Sequence, residues 1–134
     1  MINEDYVSFK IAQLLDEKGF DGEFHKHYWG YEHGKEFLTE GSFNPEYDYA
    51  APTLQTVLKW LREIHHIEVA ITYGIPFIDG KTVFRYFWYP VRVCGDHLEY
   101  PMDDPNTAEF AEKMANTYED ACEKAIKWIL ENLI

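Results

Sequence analysis

Cysteine is scarce in this chain. Cys94 and Cys122 are too few for the disulfide framework of a small secreted scaffold. Cys122 falls on the apolar face of a predicted helix and Cys94 near a strand end, so both read as free thiols in a reducing cytoplasm. Long apolar runs are missing too. None approaches the roughly 20 residues of a membrane span, and Met1-Ile2-Asn3-Glu4-Asp5 is acidic and polar where an export signal is basic. Basic residues are outnumbered, 12 Lys and Arg against 24 Asp and Glu, which leaves a net charge of −12. Such a surface repels phosphates and anionic lipid, which disfavours direct binding to DNA, RNA or membrane. No phosphate loop, dinucleotide glycine pattern, zinc-type cysteine pairing or serine-hydrolase elbow occurs. Low-complexity sequence is absent as well.

What is present specifies a folded domain. At 134 residues the chain can bury roughly two-thirds of its unfolded surface as one domain. Its 46% apolar and 17% aromatic content excludes a disordered tail. The charge is uneven. Residues 1–50 carry four basic against eleven acidic residues, residues 51–100 five against five, and residues 101–134 three against eight.

The clearest segment starts at Ala51-Pro52-Thr53, runs as a helix with Leu54, Val57, Leu58, Leu61 and Ile64 on one face, and switches at His65-His66 to a strand. A first helix is predicted from Ser8 to Lys18, with Ile11, Ala12, Leu14 and Leu15 as its stripe and Gly19 ending it. Glu23–Trp29 and Lys35–Thr39 read as strands, and residues 40–52 as an ordered, tyrosine-rich loop. Ile67–Tyr73 alternates with Ile67, Val69, Ile71 and Tyr73 on one face. Asp79-Gly80 is a hairpin signal, followed by a strand over Thr82–Val93 and a short edge strand over His97–Tyr100. A short helix is predicted from Asn106 to near Ala115, and Thr117 with Asp120 caps a last helix. The expected fold is a single α+β domain: an antiparallel sheet of about four to five strands with three main helices, in the order α-β-β-α-β-β-(β)-α.

Ala51-Pro52-Thr53-Leu54-Gln55, Lys59-Trp60-Leu61-Arg62-Glu63, Thr117-Tyr118-Glu119-Asp120-Ala121-Cys122-Glu123 and Leu130-Glu131-Asn132-Leu133-Ile134 resemble a family of small proteins of unknown function. Gut anaerobic bacteria and their phages and mobile elements encode that family. Tyr6-Val7-Ser8-Phe9 and Leu14-Leu15-Asp16-Glu17-Lys18-Gly19-Phe20 fit it too, so the likeness covers about half of the chain. Glu23 to Asp48 and Tyr73 to Asn116 carry no such match. The resemblance implies genomic context and no catalytic residue, and it favours an accessory cytoplasmic protein over a metabolic enzyme.

Three groupings invite a chemical reading. His25 and His27 stand two apart on a predicted strand, so both imidazoles could reach one ion with Glu32 as third ligand. The run Gly19-x5-His25-x-His27-x4-Glu32 is similar to the first motif of cupins, but Thr39 stands where that motif has glycine and no second motif follows. An exposed polar strand face explains these histidines without a metal. His65-His66 suit a helix end, where histidine can bond free carbonyls and meet the negative end of the dipole. Cys94 with His97 could be drawn as nucleophile and base, yet nothing in the surrounding sequence lowers the thiol pKa.

The Thr82–Val93 strand is more telling. One face shows Phe84, Tyr86 and Trp88, the other Val83, Phe87, Tyr89 and Val91. A sheet with one solvated face alternates apolar with polar, so two apolar faces require either cover on both sides or a partner. The expectation is a cytoplasmic binding domain without catalysis or cofactor. It acts through the Phe84/Tyr86/Trp88 face or the opposite one, as a homodimer or on an unidentified protein or small molecule. The alternatives are a small metal-dependent protein or enzyme using His25, His27 and Glu32, and an acidic nucleic-acid mimic. A mimic needs a continuous ridge from residues such as Asp16, Glu17, Glu109, Glu112, Glu119 and Glu123, whereas the interspersed lysines predict scattered acids.

Overall fold

Each helix starts on the hydroxyl that the sequence places before it. The computed structural model describes residues 5–28, 38–74, 77–78, 81–82, 85–101 and 114–134. Helix α1 (Phe9–Glu17) is capped by Ser8, whose hydroxyl accepts the Ile11 N–H at 3.3 Å. It ends as glycine dictates. Gly19 sits at φ +77°, its N–H donates to Asp16 O, and the Phe20 N–H donates to Leu15 O at 3.0 Å. Helix α2 (Leu54–Ile64) begins on Thr53, which accepts the Thr56 N–H at 3.2 Å. Helix α3 (Tyr118–Asn132) begins on Thr117, which accepts the Asp120 N–H at 3.1 Å. Glu119 and Asp120 in its first turn suit the positive end of the helix dipole. No helix among the described residues is long and apolar enough to cross a membrane.

Strands β1 (Lys26–Tyr28), β2 (Leu38–Thr39) and β3 (Tyr49–Ala51) form one antiparallel sheet in the order β2-β1-β3. A second antiparallel sheet has β4 (Ile67–Gly74) beside β7 (Arg85–Cys94), with β8 (His97–Glu99) and β9 (Met114–Ala115) on the far side of β7. Between β4 and β7, β5 (Phe77–Ile78) pairs with β6 (Lys81–Thr82) in the register that continues the β4–β7 ladder. The strands flanking Asp79-Gly80 thus pair as a hairpin.

Pro90 accounts for the split far edge of β7. The Val93 N–H donates to His66 O, and hydrogen-bonded pairs alternate along an antiparallel ladder. Pro90, opposite Val69, therefore takes a position where its nitrogen faces away from β4. A strand on that side would meet a residue with no N–H to give. The ladder with β9 stops at Phe87, and the ladder with β8 resumes at Arg92.

The helices lie on the face of this sheet that carries Ile67, Val69, Ile71 and Trp88. The main core joins α1, α2 and α3 through Ile11, Leu15, Val57, Leu61, Ile126, Ile129 and Leu130. The α+β class and the helix order agree with the sequence reading. Five details differ. The strands divide between a three-stranded and a four-stranded sheet, where the sequence predicts a single sheet of about four to five strands. Residues 40–52 include β3, which the Tyr-rich composition left unresolved. Glu23–Trp29 narrows to Lys26–Tyr28, with Trp29 outside the described residues. Met114–Ala115 is a strand rather than a helix end, and 106–113 lie outside the described residues. On α2, Trp60 is buried and Ile64 exposed, because the chain leaves the helix at His66 in a left-handed turn (φ +57°) before the core can reach Ile64.

Candidate functional site

The hairpin that joins β7 to β8 turns on two residues. Gly95 sits at φ +62°, a conformation glycine adopts without a Cβ penalty, and Asp96 completes the turn. This sets the register: Cys94 opposite His97, Val93 opposite Leu98, Arg92 opposite Glu99. Side chains alternate along each strand, so the hairpin sorts its residues into two sets. Val91, Val93 and Leu98 share the outer face with Tyr89 and Tyr100. Arg92, Cys94, His97 and Glu99 share the inner face, on the side where the helices lie.

The outer face is apolar, with Val91 buried (8%) and its neighbours exposed. Tyr89 is 38% exposed, Val93 45%, Leu98 53% and Tyr100 60%, and the Tyr89 and Tyr100 rings lie 6.4 Å apart. The same register adds Glu68, Ala70 and Thr72 of β4 and Phe87 of β7 to this face. Its carboxylate among these strands is Glu68, paired with Arg62 at 3.7 Å. In a chain with 24 acidic residues, that is a local depletion of carboxylates, and Arg85 of β7 shares the face.

The Phe84/Tyr86/Trp88 expectation is corrected. Phe84 lies outside the described residues. Trp88 is 3% exposed and packs with Ala115, Ala121 and Ala125, so α3 covers this face. Small residues four apart on α3 leave room for the indole against the helix. Tyr86 is half-buried, between Tyr73 at 4.9 Å and Tyr118 at 6.3 Å. On this face the exposed aromatics are Tyr73 (60%) and Tyr118 (37%) beside Tyr86, and on the opposite face Tyr89 and Tyr100.

His25 and His27 lie in different environments. Strand β1 begins at Lys26, so the two-residue repeat does not extend back to His25, which is exposed. His27 is 3% exposed, with its Nε2 3.7 Å from Asp48 Oδ2, which also accepts the Asn44 N–H at 2.8 Å. Phe43 packs edge-on against the His27 ring. Glu32 lies outside the described residues. Of the residues named for a mimic's ridge, Glu109 and Glu112 lie outside the described residues, and the Glu123 carboxylate accepts both the N–H and the hydroxyl of Ser8.

Among the described residues, the metal-ligating side chains whose donor atoms converge are Cys94, His97 and Glu99, all within 4.8 Å of one another. His97 Nε2 lies 3.7 Å from Glu99 Oε1 and His97 Nδ1 3.6 Å from Asp96 Oδ1. Burial raises the pKa of the Cys94 thiol, and the Glu99 charge and hydrogen bond raise it further against the opposing pull of Arg92. A thiol kept protonated is a poor nucleophile, so the group gives no support to a Cys–His nucleophile pair. Reading the sequence found Cys94 and His97 but missed Glu99, although a two-residue turn at Gly95-Asp96 places all three together. Compared with protein-family models, curated proteins and solved structures, the chain matches none of them, and its geometry alone carries the functional reading.

Proposed function

We propose that this chain is a non-catalytic binding module that forms a homodimer through the outer face of the β7–β8 hairpin. The observation that carries this reading is the patch of Tyr89, Val93, Leu98 and Tyr100, exposed together on a face with few carboxylates. Exposed clusters of large apolar and aromatic groups mark interaction surfaces. A second copy is favoured as the occupant by charge. Two molecules of net −12 can approach only where neither presents acids, and a basic partner would instead seek the acidic surface. The family resemblance, where no activity is known, agrees with an accessory role of this kind in a phage or mobile element.

Light scattering over a concentration series tests the proposal. The expected mass is about twice the 15.9 kDa of one chain. Leu98→Asp should return it to one chain with an unchanged circular dichroism spectrum, since Leu98 lies outside the core. A wild-type protein that stays monomeric at every concentration, or a Leu98→Asp variant that dimerises as well as the wild type, would overturn it.

A further inference from the structure

We infer that Cys94, His97 and Glu99 form a binding site for a divalent transition ion, with zinc the best match to the ligand set. The inference is independent of the dimer reading, because these side chains lie on the opposite face of the hairpin. Three features support it, beginning with the backbone. The Gly95-Asp96 turn places the Cys94 sulfur and the His97 ring side by side, and the strand repeat adds Glu99 from the same strand as His97. A ligand set fixed by register in a tight hairpin needs little ordering on binding.

Distance is the second feature. Zinc bonds of about 2.3 Å to sulfur and about 2.0 Å to nitrogen or oxygen put tetrahedral ligands roughly 3.3–3.7 Å apart. His97 Nε2 and Glu99 Oε1 already stand at 3.7 Å. The full set lies within 4.8 Å, and its side chains are half-buried or exposed, so rotamer adjustment can close the remaining gap. The third feature is chemical. Thiolate, imidazole and carboxylate together suit zinc, with a water in the fourth position. Asp96, beside the other nitrogen of His97, sits where a carboxylate orients a ligating imidazole. On coordination the thiol gives up its proton to solvent and the sulfur bonds to the ion. The Glu99 charge that disfavours a bare thiolate favours the cation. Arg92, on the same face opposite Glu99, is the adverse charge.

Cobalt(II) is the probe, because a cobalt–thiolate bond gives a near-ultraviolet charge-transfer band that other ligands do not. Titrating the reduced 134-residue chain should produce that band with an endpoint of one cobalt per chain, and equimolar zinc should bleach it. Cys94→Ser should abolish the band. His97→Ala and Glu99→Gln should each weaken binding at least tenfold, and Arg92→Ala should tighten it several-fold. His25→Ala, and Leu98→Asp on the other face, should bind as the wild type does. All these side chains are at least partly exposed, and circular dichroism verifies that each variant is folded. No charge-transfer band in the wild type, or a band that persists in Cys94→Ser, overturns the inference. As a second measurement, calorimetric titration of the wild type with zinc should give one site, and heats no larger than dilution would likewise refute it.

Discussion

Glu123 ties together parts of the chain that lie 115 residues apart, accepting the Ser8 N–H at 2.9 Å and the Ser8 hydroxyl at 3.0 Å. Ser8 is also the cap of α1, so a carboxylate of α3 stands at the positive end of another helix. Burial raises its pKa above the ordinary 4.5, and the two Ser8 donors only partly offset this. The folded state therefore holds this proton to higher pH than the unfolded chain does. Across the window from 4.5 to the raised value, stability falls as pH rises. Glu123→Gln removes the titration, so its urea midpoint should gain on the wild type between about pH 4 and pH 7. Glu123→Ala should cost about 1–2 kcal/mol through the lost bonds at the cap. An unchanged difference between wild type and Glu123→Gln at the two pH values would contradict the assignment. His65 shows the same physics in the opposite sense. Burial, and then His66, lower its pKa, and the ring packs on Trp60 at 4.5 Å. It caps α2, with its backbone N–H donating to Leu61 O.

Elements were legible where the signal was local. Ser8, Thr53 and Thr117 announced their helices, and Gly19 and Gly95 their turns, because a cap or a positive φ is satisfied by residues within one turn of chain. The face of β7 that the protein buries was not legible. Both faces of that strand are apolar, and the choice rests on Ala121 and Ala125, more than 30 residues away. The converging ligands were half legible for the same reason, since Glu99 joins Cys94 only if the turn has two residues and not three. This account of β7 makes a prediction. Trp88→Ala should destabilise the fold by about 3–5 kcal/mol in urea titrations, as for a large buried aromatic. Trp88→Phe should cost much less than the lost area implies, because the buried Trp88 indole N–H has no acceptor among the described residues and its removal relieves an unpaired donor. Equal costs for the two variants would show that the indole is not seated against α3 as described.

At the scale of the whole chain, charge is unevenly divided. The acidic excess lies in residues 1–50 and 101–134, while residues 51–100, which supply β4, β7 and β8, carry equal numbers of each sign. The surface most suited to contact is therefore held on a body that repels its own copy at long range. Salt screens that repulsion: the Debye length falls from about 30 Å near 0.01 M to about 8 Å at 0.15 M ionic strength. Apolar contact itself is not weakened by salt over this range. Self-association should therefore strengthen as salt is raised, with a dissociation constant in sedimentation equilibrium that falls across it. A basic partner drawn to the acidic surface would show the opposite trend, because screening would remove its attraction. Leu98→Asp should abolish the salt-promoted dimer at both ends of the range, since it places a new carboxylate in each half of the contact. A dimer that dissociates as salt increases would point to ion pairs between copies and away from the β7–β8 outer face.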